Sequence, residues 1–208
     1  MGLKDKYKIE RIEYSEAMRM VVENHYLHRK APCSFAFGLI DKDTDKTMGV
    51  VVYGVPASPS LLDGLCGEEQ RKNIYELTRL WIDDSIGKNA ESFLIGNTLK
   101  LVDKEIIVSY AEIQQGHRGV VYQATNWTYT GLSSRHCEWW VDGKRGKHCR
   151  HEFDKYGGIV QAKKVLGERM TKHERPRKHR YVYFNCTKRR KVELMDKLRY
   201  GVCDYPKP

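Results

Sequence analysis

The sequence predicts a mixed α/β protein, one sheet flanked by helices. Three stretches predict it. Ser34–Asp41 (SFAFGLID) and Thr47–Gly54 (TMGVVVYG) are apolar, β-rich runs joined by the polar turn Asp43–Lys46, which reads as a hairpin. Ile74–Ile82 (IYELTRLWI) is a third strand, followed after the loop Asp83–Asn89 by a helical pattern over Ala90–Val102 through Phe93, Leu94, Asn97 and Leu101. Glu105–Ala111 (EIIVSYA) is a further strand, which Gly116–Gly119 turns into a helix predicted to run to about Tyr129.

The remaining elements follow the same logic. Ser15 can cap a helix over Ser15–Arg29, with Ala17, Met18, Val21, Val22 and Tyr26 at helical spacing. Pro56, Pro59, Gly64 and Gly67 break regular structure, so Pro56–Asn73 reads as a loop or insertion. Glu138–Asp142 and Tyr181–Asn185 are short strand candidates, with a basic, aperiodic region between them. On strict alternation, Tyr75, Leu77, Arg79 and Trp81 share one face of their strand.

The 208 residues suffice for one domain with an appendage, and 40% hydrophobic content supports a substantial core. No run of apolar residues is long enough for a membrane span, and the stretch MGLKDKYKIERIEY lacks a signal-peptide core. Gly2 meets part of a myristoylation motif, but Lys6 stands where Ser or Thr is required. The expectation is a cytoplasmic protein with no membrane partner. The six dispersed cysteines read as free thiols.

Charge is unevenly placed. The net +10 divides into −3 over residues 1–143 and +13 over residues 144–208. The division predicts a catalytic core over 1–143 and a basic segment over 144–208 that completes the sheet and contacts a polyanion. Arg175, Arg177, Lys178, Arg180, Lys188, Arg189 and Arg190 are the candidate contacts to a nucleic-acid backbone. The alternative is a lysine-rich solvated surface. His136, Cys137, His148, Cys149 and His151 could hold zinc or iron, although their spacing matches no standard zinc module.

Four segments carry a family resemblance: HYLH at 25–28, YELTRLW at 75–81, NAESFLIG at 89–96, and SYAEIQQGHRGVVYQATNWTYTG at 109–131. In this order the chain resembles the Mom family of phage DNA-modification proteins, which are similar to GNAT acyltransferases. The resemblance implies a GNAT-like fold with a basic C-terminal extension. It also implies a transferase that converts adenine in double-stranded DNA to N6-(carbamoylmethyl)adenine, shielding DNA from restriction in the host cytoplasm. It places His25 and Tyr26 at the active site and Ser109 on a strand that splays from its neighbour to admit the donor. Glu112 stands where the family has Asp. Tyr122 corresponds to the tyrosine that protonates a leaving thiolate. Lys88, Asn89, Ser92 and Tyr110 are the candidate donor contacts, at a turn with one glycine and two aspartates (Asp83 and Asp84). The expected donor is acetyl-CoA or a glycine-derived compound; simple acetyl transfer places a carbonyl on N6 where this product has a methylene, so either a glycine-derived donor or a later rearrangement is required.

Each residue has a plainer reading. Arg79 either pairs with Glu76 or Glu112, or holds an anion. His25 is a base, a metal ligand or a helix-end histidine. Ser109 and Tyr122 could be ordinary strand and core residues. Asn126, Trp127 and Tyr129, expected on one helix, could bind a flipped base or simply pack, with Trp139 and Trp140 as further stacking candidates. Two other functions compete: a conventional N-acetyltransferase for a protein, tRNA or small amine, and a non-catalytic DNA-binding protein.

Overall fold

The computed structural model describes residues 2–144 and 153–207. After a short helix α1 (Leu3–Lys6), the chain forms β1 (Tyr7–Ile12), α2 (Tyr14–Asn24), β2 (Phe35–Asp41), β3 (Thr47–Gly54), α3 (Pro59–Gly64), β4 (Ile74–Ile82), α4 (Ala90–Thr98), β5 (Ile106–Glu112), α5 (Val120–Ala124), β6 (Thr128–Leu132), β7 (His136–Val141), α6 (Ile159–Leu166), β8 (Met170–Arg175), β9 (Lys178–Phe184) and α7 (Lys188–Lys197). Seven strands form one mixed sheet in the order β1-β2-β3-β4-β5-β9-β6, and β7 pairs with β8 in a separate ribbon. Among these neighbours β4 and β5 are the parallel pair. The mixed α/β class read from the sequence holds.

The strands β3 and β4 match the sequence reading residue for residue. Glu138–Asp142 and Tyr181–Asn185 fall on the strands β7 and β9, whereas the helix expected after β5 is where the sequence reading fails. The helix there is only five residues long, and Thr128–Leu132 is a strand paired with β9. Asn126 ends the helical turn with a positive φ of 61°, a conformation asparagine tolerates better than most residues. Trp127 and Tyr129 therefore do not lie on a helix. β1, β6, β8, α6 and α7 were also not anticipated, because short edge strands and basic helices carry weak hydrophobic periodicity. Strand β9 inserts between β5 and β6, so the sheet draws strands from both sides of residue 143.

The sheet separates two cores. On one face, Tyr75, Leu77, Leu80 and Ile82 of β4 and Ile107 and Ala111 of β5 pack with Leu94 and Ile95 of α4 and Tyr122 of α5. On the other, Ile74, Ile106, Val108 and Tyr110 pack with α3 and with Leu194 of α7, while Trp81 packs with Met18 and Val21 of α2. Strict alternation along β4 thus fails. Val52 and Tyr53 of β3 lie opposite Arg79 and Leu77, leaving Thr78 as an extra residue. This β-bulge shifts the alternation by one. Arg79 and Trp81 consequently leave the Leu77 face and join the side of Glu76. The Thr78 hydroxyl braces the bulge, bonding the carbonyls of Pro32 (3.0 Å) and Val52 (3.3 Å).

Candidate active site

β4 and β5 pair in register at Ile74–Ile106, Tyr75–Ile107 and Glu76–Val108, and then part. The cleft that opens has a volume of about 670 Å³, within the range of small-molecule sites. Its walls are the two faces of the sheet, and they differ chemically.

The wall on the α4 and α5 side carries Tyr122, with Lys88, Asn89 and Ser92 at its rim; Ser109 is buried directly behind Tyr122. Ser109 Oγ lies 3.0 Å from the Leu77 carbonyl and 2.8 Å from the Tyr122 hydroxyl, bridging the strands where the ladder stops. Its one proton can serve either oxygen. Burial pushes the Tyr122 hydroxyl up to about 12, with the Ser109 hydrogen bond opposing the shift. Tyr122 is thus protonated at neutral pH. The rim is the N-terminus of α4. Asn89, at φ 69°, places no side-chain cap on it, so the first-turn amide N–H groups are free to meet an anion. Asp83 is occupied with the backbone N–H and hydroxyl of Ser85, and neither Asp83 nor Asp84 lines the cleft.

The opposite wall carries His25, Tyr26, Glu76, Arg79, Tyr110 and Lys178. Arg79 does not form the ion pair weighed for it. Among the described residues it has no carboxylate within salt-bridge distance; its Nη1 and Nη2 donate to the carbonyls of Thr78 (2.6 Å) and Lys30 (3.5 Å). Its Nε is buried without a partner. Desolvation, then the nearby Arg29, lowers its pKa from the ordinary value. Glu76 has no hydrogen-bond partner among the described residues, and burial raises its carboxyl to about 7 despite the opposing charges of Lys178 and Arg79. The sequence reading treated Glu76 only as a possible mate for Arg79. The available signal is an acid set between the apolar residues Tyr75 and Leu77 of a core strand.

Glu112 is tied down. Its Oε2 accepts from the Tyr26 hydroxyl and from Lys178 Nζ, each at 3.2 Å. The longer arm of Glu spans from the end of β5 to both partners. Burial, reinforced by Glu112, raises the Tyr26 pKa further above its ordinary value. The Tyr26 ring stacks on His25 with centroids 4.3 Å apart and meets His117 edge-on at 5.7 Å. His25 is the C-cap of α2, not part of it. Its Nδ1 accepts from the Leu27 amide at 3.1 Å. Burial, then the charge of Arg79, lowers its pKa to about 4. A neutral ring with Nδ1 occupied carries its proton on Nε2, so His25 faces the cleft as a donor, not a base.

Other expectations are corrected. Trp127 is fully buried, packed against Tyr122 and Tyr183 with centroids 5.0 and 5.6 Å away, so it cannot stack on a DNA base. Arg180 is also buried; it donates to the hydroxyl and carbonyl of Thr130 and lies over the Tyr200 ring at 3.4 Å. Arg190 is paired with Glu105 (2.9 Å) and Glu193 (3.2 Å). Arg177 is spent on the carbonyls of Ser133 and Leu132, and Lys178 belongs to the cleft. Lys188 and Arg189 remain exposed on α7, and Arg175 is half-buried on β8. Asn126 does not line the cleft but a shallower recess beside α4 that adjoins it through Asn89, Ser92 and Ala124. Tyr110 lies on the Glu76 side, across the sheet from Lys88, Asn89 and Ser92. Among the described residues no three His, Cys, Asp or Glu side chains converge as for a metal. His136 and Cys137 are exposed on β7, and His148, Cys149 and His151 lie outside the described residues. The cysteines among the described residues are free, and none of the described helices is long and apolar enough to cross a membrane.

This cleft lies within a whole-chain family match: the model of the Mom protein family covers residues 6–207. The chain belongs to the Mom protein family. A relative, methylcarbamoylase mom of Escherichia phage Mu, is 28% identical over 209 residues, covering 96% of this chain and 83% of the relative. Similar solved structures include the spermidine/spermine N-acetyltransferase of Vibrio cholerae, at 9% identity and TM-score 0.48, covering 88% of this chain and 95% of that one. The ribosomal-protein-S5-alanine acetyltransferase of Vibrio fischeri matches at 12% identity and TM-score 0.45, covering 86% and 93%. In this chain the pairing of β4 with β5, which ends after Glu76, places YELTRLW beside SYAE, and the two segments form the two lips of the cleft.

Proposed function

We propose that this Mom-family chain is a transferase that converts adenine in duplex DNA to N6-(carbamoylmethyl)adenine in the host cytoplasm, protecting the DNA from restriction. One observation carries the reading. The cleft has a donor wall ending at a helix N-terminus and an acceptor wall bearing an unpaired guanidinium and an unpaired carboxyl.

The donor wall fits an anionic carrier of acyl-CoA type or another activated acyl compound. The free amides of α4, Lys88, Asn89 and Ser92 are the groups to hold it. Such a carrier, when bound, supplies an activated acyl carbon. Tyr122 holds a proton at Oη for the departing group, and Ser109 Oγ, 2.8 Å away, donates to that oxygen once the proton has gone. On the acceptor wall, adenine must leave the base stack to reach the cleft. Tyr26, 40% exposed and already stacked on His25, offers its ring to the extruded base. His25 Nε2–H and Arg79 donate to ring nitrogens or to developing negative charge. Glu76 changes charge near neutrality and so exchanges a proton with an amine. The exposed Arg29, Lys30, Lys188 and Arg189 lie on elements of this same side and suit the DNA backbone.

Mass spectrometry of nucleosides from DNA co-expressed with the protein tests the reading. Carbamoylmethyl-deoxyadenosine is expected, falling at least ~100-fold with Arg79→Ala while the protein stays folded and binds DNA. Unmodified deoxyadenosine throughout, from a soluble folded protein, would refute it.

A further inference from the structure

Glu76 and Arg79 raise a problem that the roles above leave open. Opposite charges withdrawn from water in one cleft are ordinarily paired, since each is costly to bury alone. Here the bulge at Thr78 turns Arg79 onto the wall that already carries Glu76, yet no ion pair forms. Arg79 is held instead by two backbone carbonyls, with Nε unsatisfied. Glu76 sits at the last paired register of β4 with β5, at the apex of the cleft, with nothing bonded to it. An acetyl donor ends in a methyl group and gives a carboxyl at that position no partner. A donor whose acyl group ends in a primary amine gives it one.

We infer that the donor is a glycyl thioester or ester, that Glu76 binds its α-amine, and that the carbamoylmethyl group arises by acylation of N6 followed by an intramolecular shift. The inference rests on the product assigned above and names the substrate class for the same cleft. In the first step the N6 nitrogen attacks the glycyl carbonyl. The C–N bond forms, the bond to the carrier breaks, and the carrier leaves as thiol or alcohol with the proton from Tyr122. The N6 proton is lost, so tyrosine is restored by one net proton transfer. In the second step the glycyl amine attacks C6 of the purine through a five-membered ring, and the C6–N6 bond breaks. The former N6 departs as the nitrogen of a primary carboxamide. One proton passes from the attacking nitrogen to the departing one. The sum is an isomerisation of N6-glycyladenine to N6-(carbamoylmethyl)adenine, with no oxidant or reductant.

Each unpaired group has a task in the second step. Glu76 carries the proton between the two nitrogens, for which a carboxyl that titrates near pH 7 is suited at both ends. Negative charge builds on the purine ring as C6 is attacked, and the Arg79 guanidinium, which lines the cleft, is a donor for it.

The test follows the nitrogen. The intact protein is expressed in a purine-requiring host fed adenine carrying heavy nitrogen at N6 and glycine with heavy carbon at both positions; the purine requirement keeps glycine carbon out of the ring. The modified nucleoside should carry both glycine carbons. Mild hydrolysis of its amide should remove the heavy nitrogen, because the former N6 has become the carboxamide. Glu76→Gln, close in shape, should lower the product at least ~100-fold and leave N6-glycyladenine, which has the same mass and a different fragmentation. Heavy nitrogen retained on the ring after hydrolysis overturns the shift. A modified nucleoside without glycine carbons overturns the donor. Either leaves adenine modification standing, whereas absence of any modified nucleoside overturns the function itself.

Discussion

At the scale of single residues, the cleft costs the fold stability. Glu76 has a carboxyl raised from 4.5 to about 7, so the folded state keeps a proton that the unfolded chain releases. Its contribution is intact below about pH 4.5 and is lost as pH rises to about 7, beyond which the loss is complete. Glu76→Gln is therefore expected to match the parent near pH 4.5 and exceed it above pH 7 by on the order of 1–3 kcal/mol. Denaturant unfolding at several pH values measures this. An equal effect at all pH values would show that the carboxyl is not held in its neutral form. His25 acts oppositely: its lowered pKa of about 4 withdraws stability as pH falls from about 6.5 towards 4. Groups held in a cleft at such a cost to stability are candidates for function.

At the scale of elements, two turns aim the chemistry. The Thr78 bulge rotates Arg79 from the α4 face to the Glu76 face. The turn into α5 sets Tyr122 on the opposite, α4 side, where it packs with Leu94 and Ile95. Gly119, at φ +74°, sits against the Tyr181 ring, where an added Cβ would collide with the ring. The Tyr181 hydroxyl in turn bonds the Arg118 carbonyl, locking the turn. Gly119→Ala should destabilise by roughly 1–3 kcal/mol, seen as a lowered Tm. Tyr122 begins its hydrogen bonding at this residue, its amide donating to the Gly119 carbonyl at 2.9 Å, so modification should fall along with Tm. Unchanged Tm and activity would mean the turn is not under this constraint.

At the scale of the whole molecule, the described basic residues expected to meet DNA fall into two populations. Arg177, Arg180 and Arg190 are consumed by carbonyls, an aromatic ring and carboxylates, so they build the fold around β9. Lys188 and Arg189 stay outside on α7, whose Leu194 seats it on the Glu76 side of the sheet. DNA should therefore approach that side. The double variant Lys188→Glu/Arg189→Glu should weaken duplex binding and reduce the slope of log affinity against log salt by about 1–2, with little change in unfolding. Arg180→Ala should do the reverse, lowering stability by removing a buried charge from its partners. Fluorescence anisotropy over a salt series separates them; an unaltered slope in the double variant would move the DNA interface elsewhere.

The sequence by itself determined the α/β class, the strands β3 and β4, and the segments from which the cleft is made. Apolar runs bounded by Gly, Pro and polar turns are local signals, and the motifs at 25–28, 75–81 and 109–131 all reach the site. Tertiary structure decided the faces. Alternation placed Arg79 with Leu77 because nothing in IYELTRLWI marks Thr78 as the extra residue; the bulge exists only in the pairing with β3. Trp127 read as a base-stacking residue because its burial depends on Tyr183, fifty-odd residues later in the chain. Glu76 read as a mate for Arg79 because charge complementarity is visible in one dimension and distance is not. The identity of the site residues is local information, but their partners are set by strands that meet only after the sheet has assembled.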